Sequence, residues 1–387
     1  MMASRDERKG VEDQILVEEN SCVRTLILNR PQQLNALSYQ MLYQLRKLFN
    51  VYEEDSDVKL VIVKGKGRAF CAGGDVLAVA HFVTTGHWSF GAKVAWAEYI
   101  INYILATYRK IQVSILNGFV MGGGAGLSIH GKFRVATENS VFAMPETALG
   151  HFPDTGASYF LSRLPGFFGE YLGLTGTRLD GAEMLACGLA THFVSSKGLP
   201  LLEAALFKVD TADPNIVSAI IDEFSQCAPL KEKSACYSGC RMDTIDRCFS
   251  KRTVEEILSA LEKEATKGPD EWITKTIKSL KKASPIGLKV SLRSIREGRL
   301  QSVGQCLIRE YRICCHVFRG EVSKDFFEGC RAILLDKDKN PKWEPSKLEL
   351  VNDEMVDQYF SKVDDEEWKN LKLPLRSDLA VSAIAKL

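Results

Sequence analysis

No stretch of this chain approaches the roughly 18 consecutive apolar residues that a membrane span requires. Neither sign of charge dominates: 50 basic against 49 acidic side chains in 387 residues leave a formal charge of +1. With no global field to attract nucleic acid or an anionic membrane, any anion site has to be local. Paired cysteine spacing is also missing. There are eleven cysteines, but Cys236-x3-Cys240 and Cys314-Cys315 have neither the spacing nor the companion histidines of a zinc site, so free thiols in a reducing compartment and no metal are expected. Ser128 and Ser158 sit in no Gly-x-Ser-x-Gly elbow, which leaves His151 as a pocket-wall residue rather than a triad base. The first residues, Met1 to Arg8, carry both signs and no apolar core, and so resemble neither a secretory signal nor an acid-poor transit peptide.

The remaining composition, 45% apolar and 26% charged, is that of a globular chain long enough for one large domain and a smaller one or an extension. Val23 to Leu28 and Leu60 to Val63 read as buried strands that end in the turns Asn29-Arg30-Pro31 and Lys64-Gly65-Lys66-Gly67. Between them Ser38 caps a helix whose Met41, Leu42, Leu45, Leu48, Phe49 and Tyr52 recur at helical spacing. A second cycle runs from Ala69-Phe70-Cys71 through a long helix ending near Tyr108 to a strand at Val113 to Leu116. Phe133 to Ala136 and Val141 to Ala143 continue the alternation. From Leu201 onward the pattern changes to helices with charged faces, such as Thr253 to Lys267 and Asp270 to Lys282. No low-complexity linker separates the two halves.

Two glycine turns and two acids carry the chemistry. Gly122-Gly123-Gly124-Ala125-Gly126, between Val113-Ser114-Ile115-Leu116 and Leu127-Ser128-Ile129, reads as a strand-to-helix turn where bare backbone N–H groups can meet an anion. Gly73-Gly74-Asp75 offers a second such donor. Two donors converging from separate strands would form an oxyanion hole, each worth roughly 3 kcal/mol in acyl transfer. Singly, Gly73-Gly74-Asp75 also reads as punctuation and Gly122-Gly123-Gly124 as helix–strand packing. No glycine can move a proton, so Glu146 and Asp154, the nearest acids, are the candidates. Their plainer readings are a helix-start acid and a Pro-Asp-Thr-Gly turn.

These segments resemble a known family in order and spacing. Asn29-Arg30-Pro31 with Asn35-Ala36-Leu37, then Ala69 to Asp75, Asn117-Gly118 with Gly122-Gly123-Gly124, and Pro145-Glu146 with Gly150 are similar to the crotonase (enoyl-CoA hydratase/isomerase) superfamily over about residues 15 to 195. The resemblance implies an α/β spiral of repeated ββα units, a CoA thioester substrate, and an oxyanion hole made by the N–H groups of Gly74 and Gly123. Hydratases of that superfamily carry a first glutamate where this chain has Gly126. Glu146 fills the second glutamate position, and Asp154 stands where hydratases have a glycine. That pattern resembles the 3-hydroxyisobutyryl-CoA hydrolase branch. Ser284-Pro285, Glu310-Tyr311-Arg312, Asp325 to Ala332 and Pro341-Lys342-Trp343 resemble it too.

The implied organisation is a ββα spiral core with the thioester site in residues 1–200 and a helical region in residues 201–387 packed on it. The implied reaction is hydrolysis of 3-hydroxyisobutyryl-CoA, an intermediate of valine (branched-chain amino acid) degradation, or of a relative such as 3-hydroxypropionyl-CoA. No cofactor is called for beyond the CoA of the substrate. Glu146 would act as base or nucleophile, and Asp154 would hold the 3-hydroxyl or orient water. Glu98, which by pattern is a solvated helix-face residue, is implied as a substrate contact. Lys66 or Arg68 would meet the CoA phosphates. A hydratase or isomerase working with Glu146 alone, and a non-catalytic CoA-binding protein, are the competing readings. Relatives form trimers and hexamers, so either a homo-oligomer or a C-terminal extension covering the same surface is expected. Ala385-Lys386-Leu387 has the form of a peroxisomal import tripeptide read by a receptor, against cytosol or mitochondrion as alternatives.

Overall fold

In a computed structural model of the chain, the residues described are 13–228, 230–231, 234, 239–365 and 368–376. Residues 385–387, which bear the proposed import tripeptide, and Cys236 lie outside them. The side chain of Cys240 is also outside.

Each turn of the spiral runs from a strand of a large sheet to a short strand of a small one and then into a helix. Strands β1 (Ile15–Asn20) and β2 (Val23–Leu28) form an antiparallel hairpin. Helix α1 (Tyr39–Glu54) leads to β3 (Leu60–Gly65), β4 (Ala69–Cys71), and helices α2 (Val76–Thr85) and α3 (Trp88–Ala106). The next turn holds β5 (Ile111–Leu116), β6 (Phe119–Met121) and α4 (Gly123–Ser128). Then come β7 (Phe133–Ala136), β8 (Val141–Ala143), β9 (Leu179–Asp180) and β10 (His192–Phe193). The large sheet has the order β1-β2-β3-β5-β7-β10 and the small one β4-β6-β8-β9. Apart from β1 and β9 the pairings are parallel. The ββα repeat that the resemblance implies is therefore present.

Register explains why these strands read as continuous apolar runs. Leu60, Ile62, Val113, Ile115 and Val135 face the helices Leu199–Leu206 and Pro214–Phe224. Leu26, Leu28, Val61 and Val63 face the main core. A parallel sheet covered on both faces has no side left for polar residues. Each fully buried leucine or isoleucine contributes about 1.5–3 kcal/mol.

Local signals set the first helix. Ser38 Oγ accepts from Met41 N at 3.1 Å, and Met41, Leu42, Leu45, Phe49 and Tyr52 are its buried face. Helix α3 differs, being buried on nearly all sides, because the C-terminal helix Val303–Arg319 packs along it. One hydrophobic cluster takes in residues of both halves, from Leu26 to Leu371. The chain returns further still: Trp368 stacks on Tyr311, and Arg376 pairs with buried Glu53 of α1.

Candidate active site

The first glycine turn is held by a loop nearly forty residues upstream. Asn35 accepts from Arg30 N and donates to the carbonyls of Lys66 and Ala69, at 2.8 to 3.0 Å. The Arg30 guanidinium reaches Asp75 at 3.0 Å, and Asp75 also caps α2 by accepting from Ala78 N. Leu37 N donates to Gly73 O and Asp75 N to Leu37 O, which fixes the turn and leaves Gly74 N–H unused.

The second turn enters α4 through Gly122, whose φ of 47° and ψ of −118° suit only glycine. Gly123 is then the first helical residue, and its N–H has no partner inside the helix. Among the described residues, neither Gly74 N–H nor Gly123 N–H donates a hydrogen bond. The two turns touch: a Cβ placed on Gly123 would lie 3.2 Å from Gly74 N and 2.1 Å from Glu98 Oε1. Sequence reasoning proposed these two donors, and the fold sets them side by side.

Three acids line the cleft in front of them. Glu98 comes from α3, on the same face as Gly91, Val94 and Ala95. It is 7% exposed, so it is not the solvated face residue that its pattern suggested. Glu146 opens the short 3-10 turn Glu146–Leu149 and is 8% exposed. Its Oε1 stands 2.8 Å from where a Cβ on Gly122 would be. Asp154 lies on the following loop and accepts from Tyr99 Oη at 2.5 Å. Glu98 Oε1, Glu146 Oε2 and both amide atoms of Asn102 are buried without a partner among the described residues. Buried polar atoms are nearly always paired, so the two orphan carboxylate oxygens of Glu98 and Glu146, both in the cleft lining, mark a ligand site.

Burial dominates the electrostatics. It pushes Glu98 up to about 8, with the nearby Asp154 charge adding to the effect. Glu146 is held well above the usual carboxylate range by burial, then by Asp154 and more weakly by Glu98. Asp154 is raised by burial, against the lowering influence of His151 and the Tyr99 hydroxyl. Three carboxyls so close cannot all be charged, and burial favours retained protons among them. The lining contains no lysine or arginine. Lys66 and Arg68 are solvent-exposed on the β3–β4 loop and outside it.

Other groups at the site left no short-range trace in the sequence. Cys314 and Phe318 of the Val303–Arg319 helix, with Phe326, close the far wall, and His151 lies among them. The Asp154 turn is strained, because Thr155 sits at φ 59°, a conformation that a β-branched residue rarely takes. Glu310, fully buried, holds that turn by accepting from Gly156 N at 2.6 Å, Ser158 N at 2.9 Å and Ser158 Oγ at 2.5 Å. Gly126 faces Thr155 and Asn102: a Cβ there would come within 2.7 Å of Thr155 Cβ and 2.9 Å of Asn102 Nδ2. No carboxylate fits at that position.

A ββα spiral with paired glycine donors beside a buried glutamate places the chain in a known class. It belongs to the enoyl-CoA hydratase/isomerase family, whose model matches residues 23–360. It is 66% identical to "3-hydroxyisobutyryl-CoA hydrolase 1" of Arabidopsis thaliana, over 97% of this chain and 98% of that protein. A second Arabidopsis thaliana relative, "Probable 3-hydroxyisobutyryl-CoA hydrolase 3", is 63% identical over 97% and 98%. Among solved structures, a carnitinyl-CoA dehydratase from Mycobacterium thermoresistibile superimposes with a TM-score of 0.83 at 32% identity, covering 93% of this chain and 98% of that one.

Proposed function

We propose that this chain is a thioester hydrolase that releases CoA from 3-hydroxyisobutyryl-CoA, the activity named for its relatives at 66% and 63% identity. The observation that carries the reading is one cleft holding two unused N–H groups, Gly74 and Gly123, and two buried orphan carboxylate oxygens, on Glu98 and Glu146. The thioester carbonyl takes the two N–H groups. They strengthen their hold as its oxygen becomes an alkoxide, which stabilises the transition state more than the substrate. Glu146, beside that hole, is the group that attacks the carbonyl carbon or draws a proton from water. Its raised affinity for protons makes it the stronger base once it is ionised. Asp154, anchored by Tyr99, accepts a hydrogen bond from the 3-hydroxyl. Glu98, whose burial raises its proton affinity, contacts the acyl end. Water is the only other reactant, so the chemistry calls for no cofactor.

The space at Gly126 supports hydrolysis over hydration, because the first of a hydratase's two carboxylates has nowhere to stand. Thiol release measured across 3-hydroxyisobutyryl-, 3-hydroxypropionyl-, isobutyryl- and crotonyl-CoA tests the reading. Preference for the two 3-hydroxy compounds is expected. Preference for isobutyryl-CoA, or hydration of crotonyl-CoA without thiol release, overturns it.

The same reading extends to organisation and setting. Residues 1–200 act as the spiral core that carries the thioester site, and residues 201–387 as a helical region that walls it. Lys66 or Arg68 meets the CoA phosphates at the mouth. The reaction belongs to valine degradation. Ala385-Lys386-Leu387 supports import into peroxisomes through a receptor that reads this tail. A fluorescent fusion ending in these residues, expressed with and without the last three, tests the address; unchanged cytosolic distribution overturns it.

A further inference from the structure

The loop after the Glu146–Leu149 turn and the Val303–Arg319 helix bring together His151, Asp154 and Cys314. One ligand atom from each lies within 4.8 Å of the other two, and Cys314 Sγ stands 3.9 Å from His151 Nε2. Bonds of about 2.0–2.3 Å around a tetrahedral zinc ion imply donor–donor separations of roughly 3.3–3.7 Å. Side-chain rotations of about an ångström would therefore close the set.

The surrounding contacts orient two of these groups for coordination. His151 Nδ1 lies 2.9 Å from Phe152 O, so Nδ1 carries the hydrogen and the Nε2 lone pair faces Cys314. The His151 ring is clamped by a parallel stack on Phe152 and an edge contact with Phe326. The Tyr99 hydroxyl takes one Asp154 oxygen and leaves the other available. The cluster lines the same cleft as Glu98 and Glu146, where no lysine or arginine is present. A cation thus has both an entry path and an acidic lining to draw it in.

We propose that His151, Asp154 and Cys314 form a site for a soft divalent cation such as Zn2+, and that its occupancy shuts the cleft to substrate. One thiol, one imidazole and one carboxylate select zinc-like ions over magnesium or calcium. The thiol proton is released to solvent on binding, and a fourth coordination position faces the cleft. A bound ion engages the Asp154 carboxylate and fills the space beside it, so it excludes a substrate that reaches for that acid. The exclusion of substrate rests on the proposed contact between the 3-hydroxyl and Asp154, whereas the cation site itself stands on the placement of the three ligands. The site goes beyond the expectation of no metal drawn from cysteine spacing, since ligands 163 positions apart leave no local pattern.

The test is titration of the full-length, chelator-treated protein with Co2+, following the near-ultraviolet thiolate-to-cobalt band and the visible bands of tetrahedral cobalt. One saturating equivalent is expected, displaced by Zn2+. Cys314→Ser should lose the thiolate band, and His151→Asn should keep it with affinity lowered by more than the ~10- to 100-fold that loss of an outer-shell partner costs. Melting temperatures show whether each variant is folded; if Cys314→Ser is not, the His151→Asn affinity decides. Absence of the thiolate band in the wild type overturns the site. So does an unchanged band in Cys314→Ser, which would assign it to another thiol such as exposed Cys227, or an unchanged affinity in His151→Asn.

Discussion

The two sides of the cleft are built in opposite ways. The glycine side offers only backbone: Gly74 is set by a loop tied through Asn35, Arg30 and Asp75, and Gly123 by the helix entry at Gly122. Nothing in that pair of donors titrates. The acid side offers Glu98, Glu146 and Asp154, whose proton affinities depend on burial and on one another. That burial is completed by helices from the far end of the chain. In the proposed reaction, polarisation of the carbonyl is thus set by backbone geometry, while proton handling is tuned by remote packing. A change on one side should leave the signature of the other intact.

Glu146→Gln makes the largest break. We expect kcat to fall about 10²- to 10⁴-fold with substrate affinity largely kept, measured by thiol release and by calorimetry with a CoA thioester. Full turnover in this variant would remove Glu146 from the chemistry. In the wild type, the same group sets a rising limb of kcat/KM at a pH well above the ordinary carboxylate range, because only its ionised form is a base.

Gly123→Ala probes the other side. Its Cβ meets Glu98 Oε1 and crowds Gly74 N, so a loss of about 10²- to 10³-fold in kcat is expected. The rising pH limb should shift only slightly, because the displaced Glu98 is the weakest of the influences on Glu146; a large displacement would show that the two sides are not separable. Asp154→Asn should cost about 10- to 100-fold on 3-hydroxyacyl thioesters and much less on isobutyryl-CoA. An equal loss on both would make Asp154 structural.

The smallest effect concerns Glu310, whose carboxyl burial pushes up to about 7 from 4.5 despite three hydrogen bonds that lower it. Between those values the unfolded chain has released this proton and the folded chain retains it. Stability from this group is therefore full below pH 4.5 and falls as pH rises toward 7. Glu310→Gln should flatten that part of the curve of melting temperature against pH. Parallel curves for the two proteins would rule Glu310 out as the source.

Much of the frame was legible. The run Val23 to Leu28, the Ser38 cap and the strands Phe133 to Ala136 and Val141 to Ala143 match the observed elements, because caps and buried-strand runs are short-range signals. The β1–β2 hairpin and the small-sheet strand β6 were not read, the latter being too short for periodicity to show. The glycine turns, Glu146 and Asp154 could be singled out because donors and acids declare themselves by residue type. Tyr99 could not: it neighbours Glu98 on a helix, and adjacent helical residues do not face each other, so both reach one site only where the fold wraps the helix on nearly every side. Only the packing of Val303–Arg319 against α3 brings that about.

Sequence alone determined which residues were capable of the chemistry and, through Gly126, which chemistry was missing a partner. Tertiary structure decided that Glu98 is buried rather than solvated, that Lys66 and Arg68 lie outside the cleft lining, and that Cys314 meets His151 and Asp154. The physical reason is range. Backbone conformation and capping are settled within a few residues, whereas burial, and with it the charge state of every acid here, depends on segments that return from far along the chain.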